Sequence, residues 1–245
     1  MPKLGSLFDG SGGFPLAGAL FGIEPVWASE IEPYPIKVTK KRFPGMKHLG
    51  NVLDVHGDQV EPVDIITFGS PCQDLSIAGK QAGIHDGERS NLFFEAIRII
   101  REMRGASANK FPRFAVFENV LGLFSSNGGS DFRSVLEAFC SICDDGVYVP
   151  GPPDWAWEPF GSVLGNGYSV AWRVYNACEM GRYSVPQRRK RIYIIADFGS
   201  ERADKILFEP ESVCWDSETS RKSRENASRY VAGCPDGGSW FRWMK

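Results

Sequence analysis

A short apolar run, Val63-Asp64-Ile65-Ile66-Thr67, ends abruptly at Phe68-Gly69-Ser70-Pro71-Cys72-Gln73. Such a run reads as a buried strand, and Gly69 and Pro71 stop it. The proline also drives Ser70 into an extended conformation. Cys72 is thereby set on a loop at the carboxyl end of a strand, where open α/β sheets hold their ligands. A thiol there is either a nucleophile or a small, buried, inert side chain. This stretch alone leaves both readings open.

The same pattern recurs along the chain. Leu4-Gly5-Ser6-Leu7-Phe8 reads as a strand, followed by the glycine-rich turn Asp9-Gly10-Ser11-Gly12-Gly13-Phe14 and a short helix from Pro15 to Phe21. Glycines let the backbone approach a ligand closely, although the spacing here is G-x-G-G and not the dinucleotide G-x-G-x-x-G. Pro25 to Ser29 is a second strand ending in Glu30, whose carboxylate suits the hydroxyls of a ribose. Lys37 to Phe43 follows as an amphipathic helix, and Leu49-Gly50-Asn51-Val52 as a third strand tip. Arg113 to Phe117 is another buried strand, with Glu118-Asn119-Val120 at its end. Tyr168 to Tyr175 and Ile192 to Ala196 are further strands. Strands alternating with helices predict an α/β fold with a mostly parallel sheet, and the first half predicts a nucleoside ligand.

A chain of 245 residues is long enough for one large α/β domain. No apolar run approaches the length of a membrane span, and the opening residues lead straight into a strand, so no signal peptide is expected. Six cysteines without a leader favour reduced thiols and a cytoplasmic location. The net charge of −2 provides no global basic field, so nucleic-acid binding would need a local patch. Pro186-Gln187-Arg188-Arg189-Lys190-Arg191 is such a patch, though basic clusters are commonly just solvated surface.

The residues Gln73 to Arg89 lack period and carry three glycines, which reads as a mobile lid beside Cys72. Ser90 caps a helix with Leu92, Phe93, Ala96, Ile97, Ile100 and Met103 on one stripe. Arg98, Arg101 and Arg104 fall off the stripe and read as a solvated face. The helix Asp131 to Cys143 places Cys140 and Cys143 in the core, and the lack of a second ligand pair argues against zinc. Asp144 to Pro159 is an irregular connection whose tryptophans would cover a sheet edge. His48, His56 and His85 sit in polar contexts suited to solvent, which disfavours a thiol hydrolase. Beyond Phe198 the periodic signal fades, giving residues 1–198 as a domain and 199–245 as a polar tail.

Taken in order, these motifs resemble the DNA (cytosine-5)-methyltransferases, most closely their bacterial and phage forms, from about Leu4 to Phe198. The resemblance implies a Rossmann-like, S-adenosylmethionine-dependent methyltransferase fold, with a seven-stranded-type, mostly parallel sheet and helices on both faces. It implies cofactor binding by Phe8, Asp9, Gly10, Ser11, Gly12, Gly13, Glu30, Ile31, Asn51, Val52, Gly69 and Pro71. It assigns catalysis to Cys72, Glu118, Arg189 and Arg191, and DNA or loop contacts to Gln73, Ser76, Gln81, Arg89 and Asn119. Cys72 would attack C6 of a flipped-out cytosine so that C5 takes the methyl group. Glu118, with a raised pKa, would hold N3 and the exocyclic amine. Arg191 would donate to O2, and Arg189 would support the loop or a phosphate. Double-stranded DNA is the implied partner, RNA stays open, and no metal is implied. Roles in restriction-modification, phage protection or as an orphan enzyme are all compatible.

Two departures stand out. Asn51 occupies a position that is usually acidic, and the family's target-recognition domain and last two motifs are not found. The resemblance therefore implies the catalytic half of such an enzyme. That half would be a truncated chain, a split subunit completed by a second chain, or an inactive remnant binding cofactor or DNA without turnover.

Overall fold

The computed structural model describes residues 1–70, 92–152, 156–180 and 184–208, and the backbone of 229–231. The expected lid over Gln73 to Arg89 lies outside the described residues, as do Pro71, Cys72, Ser76 and Gln81. The chain divides into two compact units, residues 1–75 with 81–117 and residues 76–80 with 118–245. No helix among the described residues is long and apolar enough to cross a membrane.

The first unit runs β1 (Lys3–Leu7), α1 (Gly13–Leu20), β2 (Glu24–Ser29), α2 (Pro33–Arg42), β3 (Lys47–His48), β4 (Ile65–Phe68), α3 (Leu92–Ala106) and β5 (Phe114–Asn119), whose last two residues open the second unit. The strand order is β3-β2-β1-β4-β5 and every pair is parallel. Leu7 pairs with Ser29 on one side and Phe68 on the other, and Phe68 pairs with Phe117. The strands therefore end level with one another, and the residues that follow them emerge at one end.

Strand alternation decides which helix covers which face. Phe93 of α3 packs its ring 6.0 Å from Phe68 and 5.2 Å from Phe117, so α3 covers the face that also carries Leu7 and Gly5. On the opposite face Gly18 of α1 sits against Leu4, where a Cβ would lie 3.3 Å from its Cδ1. The expected α/β layering is present in this unit.

Three expectations need correcting. The third strand is Lys47–His48; Gly50 then turns with φ +77, and Val52–Asp54 is a 3-10 turn and not a strand tip. Arg104 is buried, with Nη1 donating 2.9 Å to the Pro112 carbonyl. Arg98 is half-buried, bonded to Glu95, to Glu102 and to the Val55 carbonyl. A position off the apolar stripe is thus not a solvated one where neighbouring carbonyls need donors. His48 is half-buried too, not solvent-facing, and its Nδ1 has no hydrogen-bond partner among the described residues.

The second unit contains α4 (Ser130–Cys140), β6 (Phe160–Gly165), β7 (Tyr168–Asn176), β8 (Lys190–Asp197), α5 (Ala203–Leu207) and β9 (Arg229–Val231). β6, β7 and β8 pair antiparallel in sequence order, and β9 adds parallel to β6. The described strands number nine, with β6 and β9 added beyond the series β3-β2-β1-β4-β5-β8-β7. β6 and α5 carry no signal in the reading above. Trp172 of β7 meets Phe132 of α4 at 5.4 Å, while its neighbour Ala171 packs with Ala203 and Leu207 of α5. The two helices thus cover opposite faces of β7. Trp157 is core rather than edge cover, since its ring NH donates 2.8 Å to the Gly129 carbonyl and its ring meets Phe132. Cys140 is buried as expected, but Cys143 lies beyond the helix end and is exposed.

Gly5 offers a direct check. A Cβ there would come 2.2 Å from Cζ2 of Trp27, which is 1% exposed and has no room to move. Gly5→Ala should destabilise the protein by about 1–3 kcal/mol in urea denaturation through overpacking. An unchanged midpoint would contradict this packing.

Candidate active site

The turn after β1 is shaped by backbone conformation before any side chain acts. Phe8 adopts φ +53, unusual for a side chain of its size, and Gly10 and Gly12 follow at +55 and +81. The chain folds back, and Gly12 NH closes onto the Asp9 carbonyl at 3.1 Å. Glu30 then ties this turn to the end of β2. Its Oε2 accepts from Gly10 NH at 2.7 Å, and its Oε1 accepts from Ile31 NH at 2.8 Å and Glu32 NH at 2.9 Å. Each carboxylate oxygen offers about two acceptor sites, so Oε2 retains one for a ligand hydroxyl.

Beside Glu30 lies a cleft of about 400 Å³, lined by Phe8, Ser29, Ile31, Glu32, Asn51, Val52, Gly69 and Leu92. Four apolar walls (Phe8, Ile31, Val52 and Leu92) and two acidic residues (Glu30 and Glu32) fit a nucleoside, and the size falls in the ~300–1,000 Å³ range of small-molecule sites. Six residues assigned to the cofactor from the sequence are brought together here: Phe8, Glu30, Ile31, Asn51, Val52 and Gly69. Asn51 has half its acceptor capacity spent, because Oδ1 accepts from Leu53 NH at 3.1 Å. Ser29, Glu32 and Leu92 carry no cofactor assignment from the sequence; Ser29 and Glu32 flank Glu30-Ile31, and Leu92 is the first residue of α3.

Asp9 plays a different part from the one expected. It is 7% exposed and does not line the cleft. Its Oδ1 accepts from Ser6 Oγ at 2.6 Å, while Oδ2 has no hydrogen-bond partner among the described residues. Ser11 and Gly13 are exposed on the turn, and Gly12 is buried against Thr39.

In the second unit Glu118, at the end of β5, meets the start of β8. Arg191 Nε lies 3.1 Å from Glu118 Oε1, and an Arg189 nitrogen lies 3.6 Å from the same oxygen. Arg191 Nη1 donates to the Lys190 carbonyl at 2.8 Å. The segment before β8 is anchored by Ala177 NH to the Arg189 carbonyl and Val185 NH to the Ala177 carbonyl, both 3.0 Å. Three of the four residues assigned to catalysis thus form one ion-paired cluster, and Cys72 lies outside the described residues. So do Pro71, Gln73, Ser76, Gln81 and Arg89. Asn119 is 2% exposed, and its Oδ1 accepts from Val120 NH at 2.8 Å.

His56, Asp58 and Glu102 bring three ligand atoms within 4.8 Å of one another. Both Glu102 oxygens already accept from Arg98, and one also from Gly57 NH, so this group is committed to the fold.

Residues 3–143 and 162–228 match the sequence profile of the C-5 cytosine-specific DNA methylase family. The chain is 30% identical to the DNA N-6-adenine-methyltransferase of Escherichia phage P1, across 93% of this chain and 33% of that protein. It is 32% identical to the Type II methyltransferase M.HhaI of Haemophilus parahaemolyticus, across 77% of this chain and 47% of that one. The crystal structure of the S. pombe Dnmt2 methyltransferase superposes with a TM-score of 0.57 at 19% identity, over 89% of this chain and 57% of that one. The chain thus spans between a third and a half of the length of these two curated relatives.

The pH behaviour of Asp9 follows from its surroundings. Burial pushes its carboxyl up from 3.8 to about 6, opposed by the Ser6 bond and reinforced by Glu30. The folded state therefore holds this proton more tightly than the unfolded chain does. The resulting stabilisation is complete below pH ~4 and is lost as pH rises through ~6. Asp9→Asn keeps an acceptor for Ser6 and removes the charge, so the drop in stability from pH 4 to 7 should shrink by about 1–3 kcal/mol. Denaturation curves across that range check it, and parallel pH profiles would contradict it.

Proposed function

Because the chain belongs to the C-5 cytosine-specific DNA methylases, we propose that it serves S-adenosylmethionine-dependent methylation of cytosine C5 in double-stranded DNA. The observation that carries this reading is Glu118, fixed at the end of β5 by Arg191 and Arg189 from the start of β8. A carboxyl beside two guanidiniums suits a pyrimidine, which presents donors and acceptors on one edge. Phe8, Glu30, Ile31, Asn51 and Val52 would hold the cofactor. S-adenosylmethionine, when bound, supplies the electrophilic methyl group that C5 takes.

The chain's own residues do the rest. Cys72, as thiolate, adds to C6 and makes C5 enamine-like. Arg189 and Arg191 raise the local positive potential, which favours thiolate. Glu118 bonds N3 and the exocyclic amine and supports the charge that builds on the ring. Loss of the C5 proton and departure of Cys72 restore aromaticity. The base must first leave the helix, at a cost of about a few kcal/mol. Residues 1–198 form the catalytic part in this reading, and 199–245 begin a recognition region.

The chain covers 33% and 47% of the two curated relatives, and a second reading stands beside the first. It then binds cofactor or DNA without turnover, or works with a second chain that supplies recognition.

The test is methyl transfer from labelled S-adenosylmethionine to DNA, followed by digestion to nucleosides. The expected product is 5-methylcytosine, lowered about 10²–10⁴-fold in Glu118→Ala. Label in N6-methyladenine would overturn the cytosine assignment. Cofactor binding with no label in either nucleoside would establish the second reading.

A further inference from the structure

Five of the chain's 28 basic residues, and none of its 30 acidic ones, fall between positions 33 and 49. Lys37, Lys40 and Lys41 lie on α2, three and four residues apart, and so share one face of that helix. All three are exposed, as are Arg42, which ends α2, and Lys47, which opens β3. β3 is the outermost strand of its sheet. Thr39 Oγ1 lies 3.3 Å from His48 Nε2 and fastens α2 to that edge, so Lys40 and Lys47 flank one seam. Arg42 and Lys47 meet again around a cleft of about 500 Å³, with Trp27, Phe43 and Met46 among its walls. Glu24 and Glu61 line the same cleft, and Glu61 is paired with Lys3. None of the five cations makes an ion pair or a side-chain hydrogen bond among the described residues. Two ordinary causes account for part of this pattern. Cations in a last turn offset the negative end of a helix, which covers Lys40, Lys41 and Arg42. A lysine on an edge strand discourages edge-to-edge pairing, which covers Lys47. Neither cause calls for Lys37, which stands four residues before Lys41 in a like-charge pair that weakens the helix.

We propose that this basic edge is a sequence-independent holding surface for the phosphate backbone of duplex DNA, separate from the nucleoside cleft of the same unit. Glu32, which lines that cleft, immediately precedes α2, whereas the cations run from the middle of α2 to its end and on to β3. Charge complementarity selects the partner. Duplex DNA presents about one negative charge per 1.7 Å of axis, and cations left uncompensated by the protein bind it by releasing its counterions. Lysine ammoniums on flexible stems meet phosphates as point charges and read no base. The surface therefore adds affinity without adding specificity. The choice of DNA among polyanions rests on the reading given above; the existence of the surface does not.

Binding of the whole chain to labelled duplexes of about 30 base pairs, followed by fluorescence anisotropy between about 50 and 200 mM salt, tests it. Lys40→Gln, Lys41→Gln and Lys47→Gln together should lower the steepness of log K against log salt by about 3, equally on two duplexes of unrelated sequence. Removing three exposed cations elsewhere in the same unit, by Arg101→Gln, Lys110→Gln and Arg113→Gln, should lower it by less than about 1. Lys40→Arg, Lys41→Arg and Lys47→Arg together keep the charge and should keep the steepness within about 1 of the unmodified chain. An equal drop in both glutamine variants would mean a diffuse effect of net charge and would overturn the proposal. So would no drop in either, a drop that differs between the two duplexes, or a drop in the arginine variant as large as in the glutamine one. A drop confined to duplex RNA would replace the partner and overturn the assignment to DNA, and absence of DNA binding by the unmodified chain would overturn it outright. Methyl transfer does not enter this measurement. The expected contrast in a chain that transfers no methyl group would refute the enzymatic reading and leave the surface standing, whereas methyl transfer without the contrast would do the reverse.

Discussion

Parallel pairing in level register is what the site depends on. Parallel strands place all their carboxyl ends on one side of a sheet, and here Leu7, Ser29 and Phe68 end side by side, level with Phe117 of β5. The residues that follow, Phe8, Glu30 and Gly69, line the cleft, and Glu118 continues β5. Level ends require crossovers that return the chain to the same starting edge, and α1, α2 and α3 provide them.

Holding polar groups at that edge carries an energetic cost. Glu30 meets it with three backbone NH donors, converting a carboxylate into the clasp of the glycine turn. Asp9 is less well compensated: one oxygen accepts from Ser6, the other has no partner among the described residues, and burial raises its carboxyl to about 6. Glu118 is compensated by two guanidiniums in place of backbone. The same device, a strand-end carboxylate, is thus stabilised in three ways. Only the version that leaves acceptor capacity or a nearby cation open is suited to meet a ligand.

Much of this was legible in the sequence because buried parallel strands are nearly continuous apolar runs, and the run ends locate the functional residues. What failed has physical causes. β6 was missed because its own composition, Phe160-Gly161-Ser162-Val163-Leu164-Gly165, alternates weakly; Asn166-Gly167, with Gly167 at φ +77, was the available hairpin signal. α5, five residues long, is too short to show a helical period. Arg104 was misplaced because a stripe rule knows nothing of the Pro112 carbonyl that needs its donor.

The claim that most needs testing is that these strand ends serve a covalent attack by Cys72. Incubation with S-adenosylmethionine and duplex DNA carrying 5-fluorocytosine, which blocks loss of the C5 substituent, should leave a protein–DNA adduct stable to denaturation. Peptide mapping should place that adduct on Cys72, and Cys72→Ser should abolish it. An adduct at another residue, or none from a chain that binds both cofactor and DNA, would contradict the mechanism.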